Sequence, residues 1–93
     1  MPDLISVIVT TYDRKDALEA VLAALSRQVD RGFEVVIADD GSPATTAAVV
    51  DRWRPRIGVP LSHVWQVHRD FRAAEIRNRG ILACGGDYCI FLD

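Results

Sequence analysis

Four short apolar runs punctuate the chain: ISVIVT at Ile5 to Thr10, FEVVIA at Phe33 to Ala38, LSHVWQV at Leu61 to Val67 and YCIFL at Tyr88 to Leu92. A stretch with helical character separates each run from the next, and this alternation constrains the fold more than any other feature. The first run is β-branched with no helical period and reads as a strand buried on both faces, a parallel-sheet signature; the second reads as another strand and the fourth as a buried strand. The third carries His63 and Gln66, which places it nearer an edge. From Arg14 onward Leu18, Val21, Leu22 and Leu25 recur at i, i+3, i+4 and i+7, the pattern of an amphipathic helix with Asp13 as its expected N-cap. Gly41-Ser42-Pro43 supplies a turn, a capping hydroxyl and a proline suited to the first helical position. A helix through Ala47, Val50 and Trp53 comes next, with Pro55 and Gly58 expected to stop it. Phe71 to Cys84 reads as a third helix, ended by Gly85-Gly86.

Short connections between strands and helices in strict alternation require right-handed crossovers and a parallel sheet covered by helices. The expected fold is therefore α/β, a Rossmann-like three-layer arrangement in strand order 3-2-1-4. Its switch point falls between the first and fourth strands, where ligands of such sheets sit beyond the carboxyl ends.

With 93 residues, 49% hydrophobic and 26% charged, the chain has the composition of a globular domain. At this length folding hides roughly 60 to 65% of the surface of the unfolded chain, enough for one domain over residues 1–93 and not for two. A formal net charge of -2 provides no broad basic field, which argues against nucleic acid as a partner. The two cysteines, Cys84 and Cys89, form neither a CxxC pair nor a zinc-type cluster and read as reduced core residues. The start MPDLISVIVTTYD has no basic n-region, and no apolar run approaches 18 residues. Neither a signal peptide nor a transmembrane segment is indicated, and the expected location is the cytoplasm.

The strands deliver polar residues to one rim: Thr10, Thr11, Tyr12 and Asp13 after the first, Asp39 and Asp40 after the second, Asp93 after the fourth. Carboxylates that converge on a crevice repel one another unless a cation or a hydrogen-bond donor such as a base N–H offsets them. The first turn, TTYDRKD, contains no glycine, and no GxGxxG or P-loop pattern occurs. Without a glycine turn the backbone cannot approach a pyrophosphate, so a nucleotide would need a metal and basic side chains for its phosphates. On the third helix Ala74, Asn78 and Ile81 share a stripe, with Arg77 beside Asn78. A polar pair on such a face calls for carboxylates, carbonyls or a ligand nearby.

ISVIVTTYDR, EVVIADDGS, AAEIRNRGI and GGDYCIFLD resemble, in order and spacing, the nucleotide-sugar-binding half of an inverting family 2 glycosyltransferase of the GT-A fold. The resemblance covers essentially the whole chain, and DFRAAEIRNRG looks most like polysaccharide-polymerase members. It implies that Thr10 and Tyr12 border the nucleobase, that Asp40 accepts a hydrogen bond from the uracil ring or ribose of a UDP-sugar, and that Asp39 is its structural neighbour. Arg77 and Asn78 match the pair lining the donor pocket. Asp93 matches the first aspartate of the DxD motif that holds Mn2+ or Mg2+ through the diphosphate. Asp13 stands where the family often has asparagine. The chain stops before the motif's second aspartate, so the expectation is a half-domain truncated at that point. The catalytic base would lie beyond residue 93, the fragment would be inactive by itself, and it would bind metal weakly. The saccharide acceptor would be met elsewhere, and the uncovered edge of the fourth strand would favour self-association.

Blander readings stand beside these. Asp39 and Asp40 suit a helix-capping turn with no ligand. His68 reads as a solvated loop residue, Arg69, Arg72, Arg77 and Arg79 as a solvated basic face, and Trp53, Trp65 and Cys89 as core. The alternative function is a non-catalytic Rossmann-like interaction or receiver-type module. A receiver needs its phosphoacceptor aspartate after the third strand and a later lysine, whereas that strand ends in Gln66-Val67-His68 and the only lysine is Lys15.

Overall fold

The computed structural model of the protein describes residues 4–68 and 73–92. Its elements come in the expected order: β1 (Ile5–Thr11), α1 (Lys15–Ser26), β2 (Phe33–Asp39), α2 (Ala44–Ile57), β3 (Leu61–Trp65), α3 (Ala73–Ala83) and β4 (Tyr88–Leu92). All pairings are parallel and the strand order is β3-β2-β1-β4, as expected. The register aligns Val9 with Ile37 and Leu92, and Thr11 with Asp39, so the three strand ends reach one level.

Side chains alternate across a strand, which divides the core between two faces. Val7, Val9, Val35 and Ile37 pack on Leu18 and Leu22 of α1 and on Val49, Val50, Trp53 and Ile57 of α2. On the opposite face Ile8, Val36 and Ala38 meet Ile76 of α3. Both faces of β1 and β2 are thus buried, which is why those strands are apolar without alternation. No helix among the described residues is long and apolar enough to cross a membrane.

Several local expectations are corrected. The fourth strand is not buried: Tyr88, Ile90 and Phe91 are exposed, because the helices lie over β1, β2 and β3 and, among the described residues, β4 is paired only through β1. Cys89 shares that exposure and is not a core residue. Trp65 is 48% exposed on the outer strand β3, with its indole N–H donated to the Ser42 carbonyl at 3.1 Å, whereas Trp53 is in the core as expected. Asp13 does not cap α1. Arg14 holds that position without a side-chain cap, and Asp13 adopts a left-handed φ of 47°, one of the few conformations that turn the chain sharply at the rim. Pro43 rather than Ser42 occupies the N-cap of α2. Pro55 lies inside α2 instead of ending it. A proline removes one helical hydrogen bond, and the buried Trp53 and Ile57 on either side hold the helix through that loss. The expected start of α3, Phe71 and Arg72, lies outside the described residues.

Candidate functional site

The rim at the carboxyl ends of the strands is built from three loops tied to one another. The Asp40 N–H donates to the Thr11 carbonyl at 3.0 Å, and the Gln66 N–H to the Asp39 carbonyl at 3.1 Å, so each strand end is stitched to its neighbour just past the regular pairing. Thr10, one residue beyond the last β1–β4 pair, places its hydroxyl 3.5 Å from the Leu92 carbonyl. Together these contacts fix the positions from which the polar side chains project.

Asp39 and Asp40 point in different directions because they are adjacent on an extended strand end. Asp39 faces inward and is buried. Its Oδ1 accepts the Ser42 N–H at 2.9 Å and its Oδ2 the Nε2–H of His63 at 2.8 Å. Burial pushes its carboxyl upward, but the hydrogen bonds from His63 and from the Ser42 hydroxyl and amide outweigh that and hold it below the ordinary carboxylate value. The Ser42 oxygen in turn accepts the Asp13 N–H at 2.7 Å. Asp39 is therefore a brace that links β3, the 39–42 turn and the Tyr12–Asp13 turn.

Asp40 faces the rim. Its Oδ1 accepts from the Gln66 side-chain amide at 2.8 Å, and its Oδ2 lies 3.1 Å from Nδ1 of His68. The imidazole of His68 also lies parallel to the ring of Tyr12, with centroids 4.0 Å apart and planes 10° apart. Tyr12, Asp40, Gln66 and His68 thus form one cluster assembled from the ends of β1, β2 and β3.

Beside this cluster opens a cavity of about 390 Å³. Thr10, Tyr12 and Asp40 line it, together with Arg14 and Leu18 of α1, Ile76 of α3 and Leu92 of β4. It lies at the junction of β1 and β4, the switch point expected for this topology. Three of the residues singled out in the sequence, Thr10, Tyr12 and Asp40, come together here. Asp39 stands behind them. Arg77 and Asn78 are not among the lining residues: both are exposed, and the guanidinium of Arg77 lies 5.9 Å from the Phe91 ring. The stripe of α3 that meets the sheet is Ile76 and Gly80, on roughly the opposite side of the helix from the expected stripe of Ala74, Asn78 and Ile81. Asp93 lies outside the described residues. Among the described residues no three His, Cys, Asp or Glu side chains cluster as a metal ion would require.

Sequence reasoning missed four members of the neighbourhood, Arg14, His63, Gln66 and His68. The available signal was the polar interruption of the third strand: His63 falls inside the apolar run, and Gln66 and His68 fall at its end, on the same rim as the two aspartates.

The profile of glycosyl transferase family 2 matches residues 6–93. A validoxylamine A glucosyltransferase of Streptomyces hygroscopicus subsp. jinggangensis is 37% identical over 92 residues, covering 97% of this chain and 21% of that protein. Among solved structures, the mannosyltransferase PcManGT from Pyrobaculum calidifontis, in complex with GDP-Man and Mn2+, superposes with a TM-score of 0.80 at 25% identity, over 96% of this chain and 26% of its own. S. aureus TarS 1-349 in complex with UDP gives 0.74 at 25% identity, over 97% of this chain and 27% of its own. This chain therefore spans about a quarter or less of the length of each of these proteins.

Proposed function

The chain belongs to glycosyl transferase family 2, and from that premise we propose that it forms the donor-binding region of an inverting glycosyltransferase that takes a UDP-sugar as donor and a saccharide or other hydroxyl compound as acceptor. The observation that carries this reading is the convergence of the Tyr12 ring and the Asp40 carboxylate, with Thr10, on one cavity at the β1–β4 switch point. A flat aromatic face beside a fixed carboxylate suits a nucleobase, which offers a ring to stack and a ring N–H to donate. Arg14 at the same cavity offers a guanidinium to the phosphates.

In the reaction proposed, the acceptor hydroxyl oxygen forms a bond to the anomeric carbon from the face opposite the leaving group. The bond from that carbon to the phosphate oxygen breaks, its electron pair leaves with the nucleoside diphosphate, and the hydroxyl proton passes to a base. That base is assigned to sequence beyond residue 93, in keeping with the share of the relatives that this chain covers. The contribution of residues 4–92 is to bind the base and ribose and to orient the diphosphate. Arg77 and Asn78 are assigned to the outer wall of the donor site, on the α3 side. A divalent ion, Mn2+ or Mg2+, would neutralise the diphosphate when bound, with Asp93 as one oxygen ligand and the rest from the substrate and from later sequence. The 93-residue chain alone is accordingly proposed to be inactive in sugar transfer.

Isothermal titration of the chain with UDP, GDP and CMP tests the reading. UDP should bind most tightly, and Asp40→Ala should weaken it. Equal or absent binding of all three nucleotides would favour the non-catalytic module instead.

A further inference from the structure

The two groups assigned to the nucleobase are already engaged by the protein itself. His68 lays a planar ring on Tyr12 at 4.0 Å, and its Nδ1 lies 3.1 Å from both Oδ2 and the backbone carbonyl of Asp40. Both partners are acceptors, so Nδ1 carries the proton and donates. A uracil ring stacked on Tyr12 with its ring N–H directed at Asp40 would make the same two interactions with the same two groups. We propose that His68 occupies the seat of the nucleobase as an intramolecular mimic, and that nucleotide binding displaces it. This inference rests on the reading of Tyr12 and Asp40 as the base-recognising pair.

Three features fit a seat built to be filled and vacated. Asp40 does not depend on His68 for its orientation, because Gln66 holds Oδ1 at 2.8 Å, so the carboxylate stays aimed when the imidazole leaves. The His68 side chain is 38% exposed and that of Asp40 16%, which leaves solvent an approach to the pair. Gly41, at a φ of 95°, admits His68 to its place: a β-carbon there would collide with the His68 backbone nitrogen and stand 2.6 Å from its Cβ. Only glycine satisfies both that left-handed backbone and that close approach.

A ligand that must displace a resident group binds with an apparent affinity reduced by the fraction of molecules in which the seat is open. Removal of the resident ring should therefore strengthen binding, whereas it would weaken binding if His68 were one of the ligand's own contacts. Calorimetry with UDP should give His68→Ala an affinity about three- to tenfold above that of the unaltered chain, corresponding to an open fraction of roughly a third to a tenth. His68→Phe, which keeps the stack and loses the donor, should fall between the two. In proton NMR spectra the His68 ring signals should be shifted upfield by the Tyr12 ring in the free chain, and that shift should vanish at saturating UDP. Weaker or equal binding by His68→Ala, or a ring shift that persists at saturation, would overturn the inference while leaving the donor site standing. Absence of UDP binding by both proteins would overturn the donor-site reading and this inference with it.

Discussion

Oδ2 of Asp39 and Nε2 of His63 stand 2.8 Å apart on side chains that are 1% and 12% exposed, so the first of the two adjacent aspartates is tied to the neighbouring strand instead of facing the cavity. Adjacent carboxylates repel, and this arrangement separates them: one is turned into the protein and compensated, the other is left at the rim. The brace runs from His63 through Asp39 and Ser42 to the Asp13 amide, and so reaches the turn that positions Tyr12.

The brace predicts an acid sensitivity with a definite sign. The Asp39 carboxyl titrates in the folded chain below its ordinary value of 3.8. A lowered folded value means that the ionised form contributes stability in full above the unfolded value, and that this contribution is lost as pH falls through the folded one. Urea unfolding at a series of pH values should show a loss of stability below about pH 4 that is smaller in Asp39→Asn. At neutral pH the same substitution should cost about 1 to 3 kcal/mol, the usual range for a buried charged hydrogen bond. A variant as stable as the parent at neutral pH, with the same acid limb, would refute the bracing role.

Asp40 should behave differently, as a binding group whose loss leaves the fold intact. Asp40→Ala should remove about 1 to 3 kcal/mol of UDP affinity through the lost hydrogen bond. The same substitution also releases His68, which partly offsets the loss. In the His68→Ala background the cost should therefore be larger, a coupling that a double-mutant cycle by calorimetry measures directly. Equal costs in both backgrounds would separate His68 from the site, and unchanged affinity in both would remove Asp40 from it.

The close seating of α3 on the sheet depends on Gly80. A β-carbon at that position would meet Ile8 Cγ2 at 2.9 Å and the Ala38 β-carbon at 3.4 Å, and both of those residues are fully buried. Alanine gains about 0.8 to 1.0 kcal/mol over glycine from helix propensity. Overpacking of a closed core costs about 1 to 3 kcal/mol, so the steric term wins. Gly80→Ala should lower the urea midpoint with no change in slope. A raised midpoint would mean that Ile8 yields more than its packing suggests.

Much of the fold was legible because each element carries a signal of its own. Continuous apolar β-branched runs mark β1 and β2, the i, i+3, i+4, i+7 pattern marks α1, and the crossover rule orders the strands. Burial of β4 was not legible, since an apolar run records what a strand can bury and not whether a helix lies above it. Asp40 was legible as a rim carboxylate from its place after an apolar run. His63 and His68 were not: their partners lie 24 and 28 residues away, and only the β2–β3 register and the Gly41 turn bring them to the aspartates. The face that α3 turns to the sheet is roughly opposite the expected stripe of Ala74, Asn78 and Ile81, because the sheet covers Ile76 and the small Gly80 and leaves the polar pair Arg77 and Asn78 exposed.

The outer edge of β4 predicts self-association of the 93-residue chain. Tyr88 is 60% exposed and Ile90 48%, on a strand that pairs only through β1 among the described residues. Unpaired N–H and C=O groups beside apolar side chains form a template for another strand, and the Tyr88–Leu92 segment has no lysine, proline or bulge to block it. Light scattering should show a mass that rises with concentration toward twice the 10.3 kDa of one chain. Ile90→Lys puts a charge at an exposed position of that edge, where it costs a single chain little and opposes pairing strongly. The variant should stay monomeric and keep its UDP affinity, because Ile90 lies away from the strand end that lines the cavity. A strictly monomeric mass for the unaltered chain at high concentration, or an Ile90→Lys variant that associates as readily, would rule out this edge as the contact.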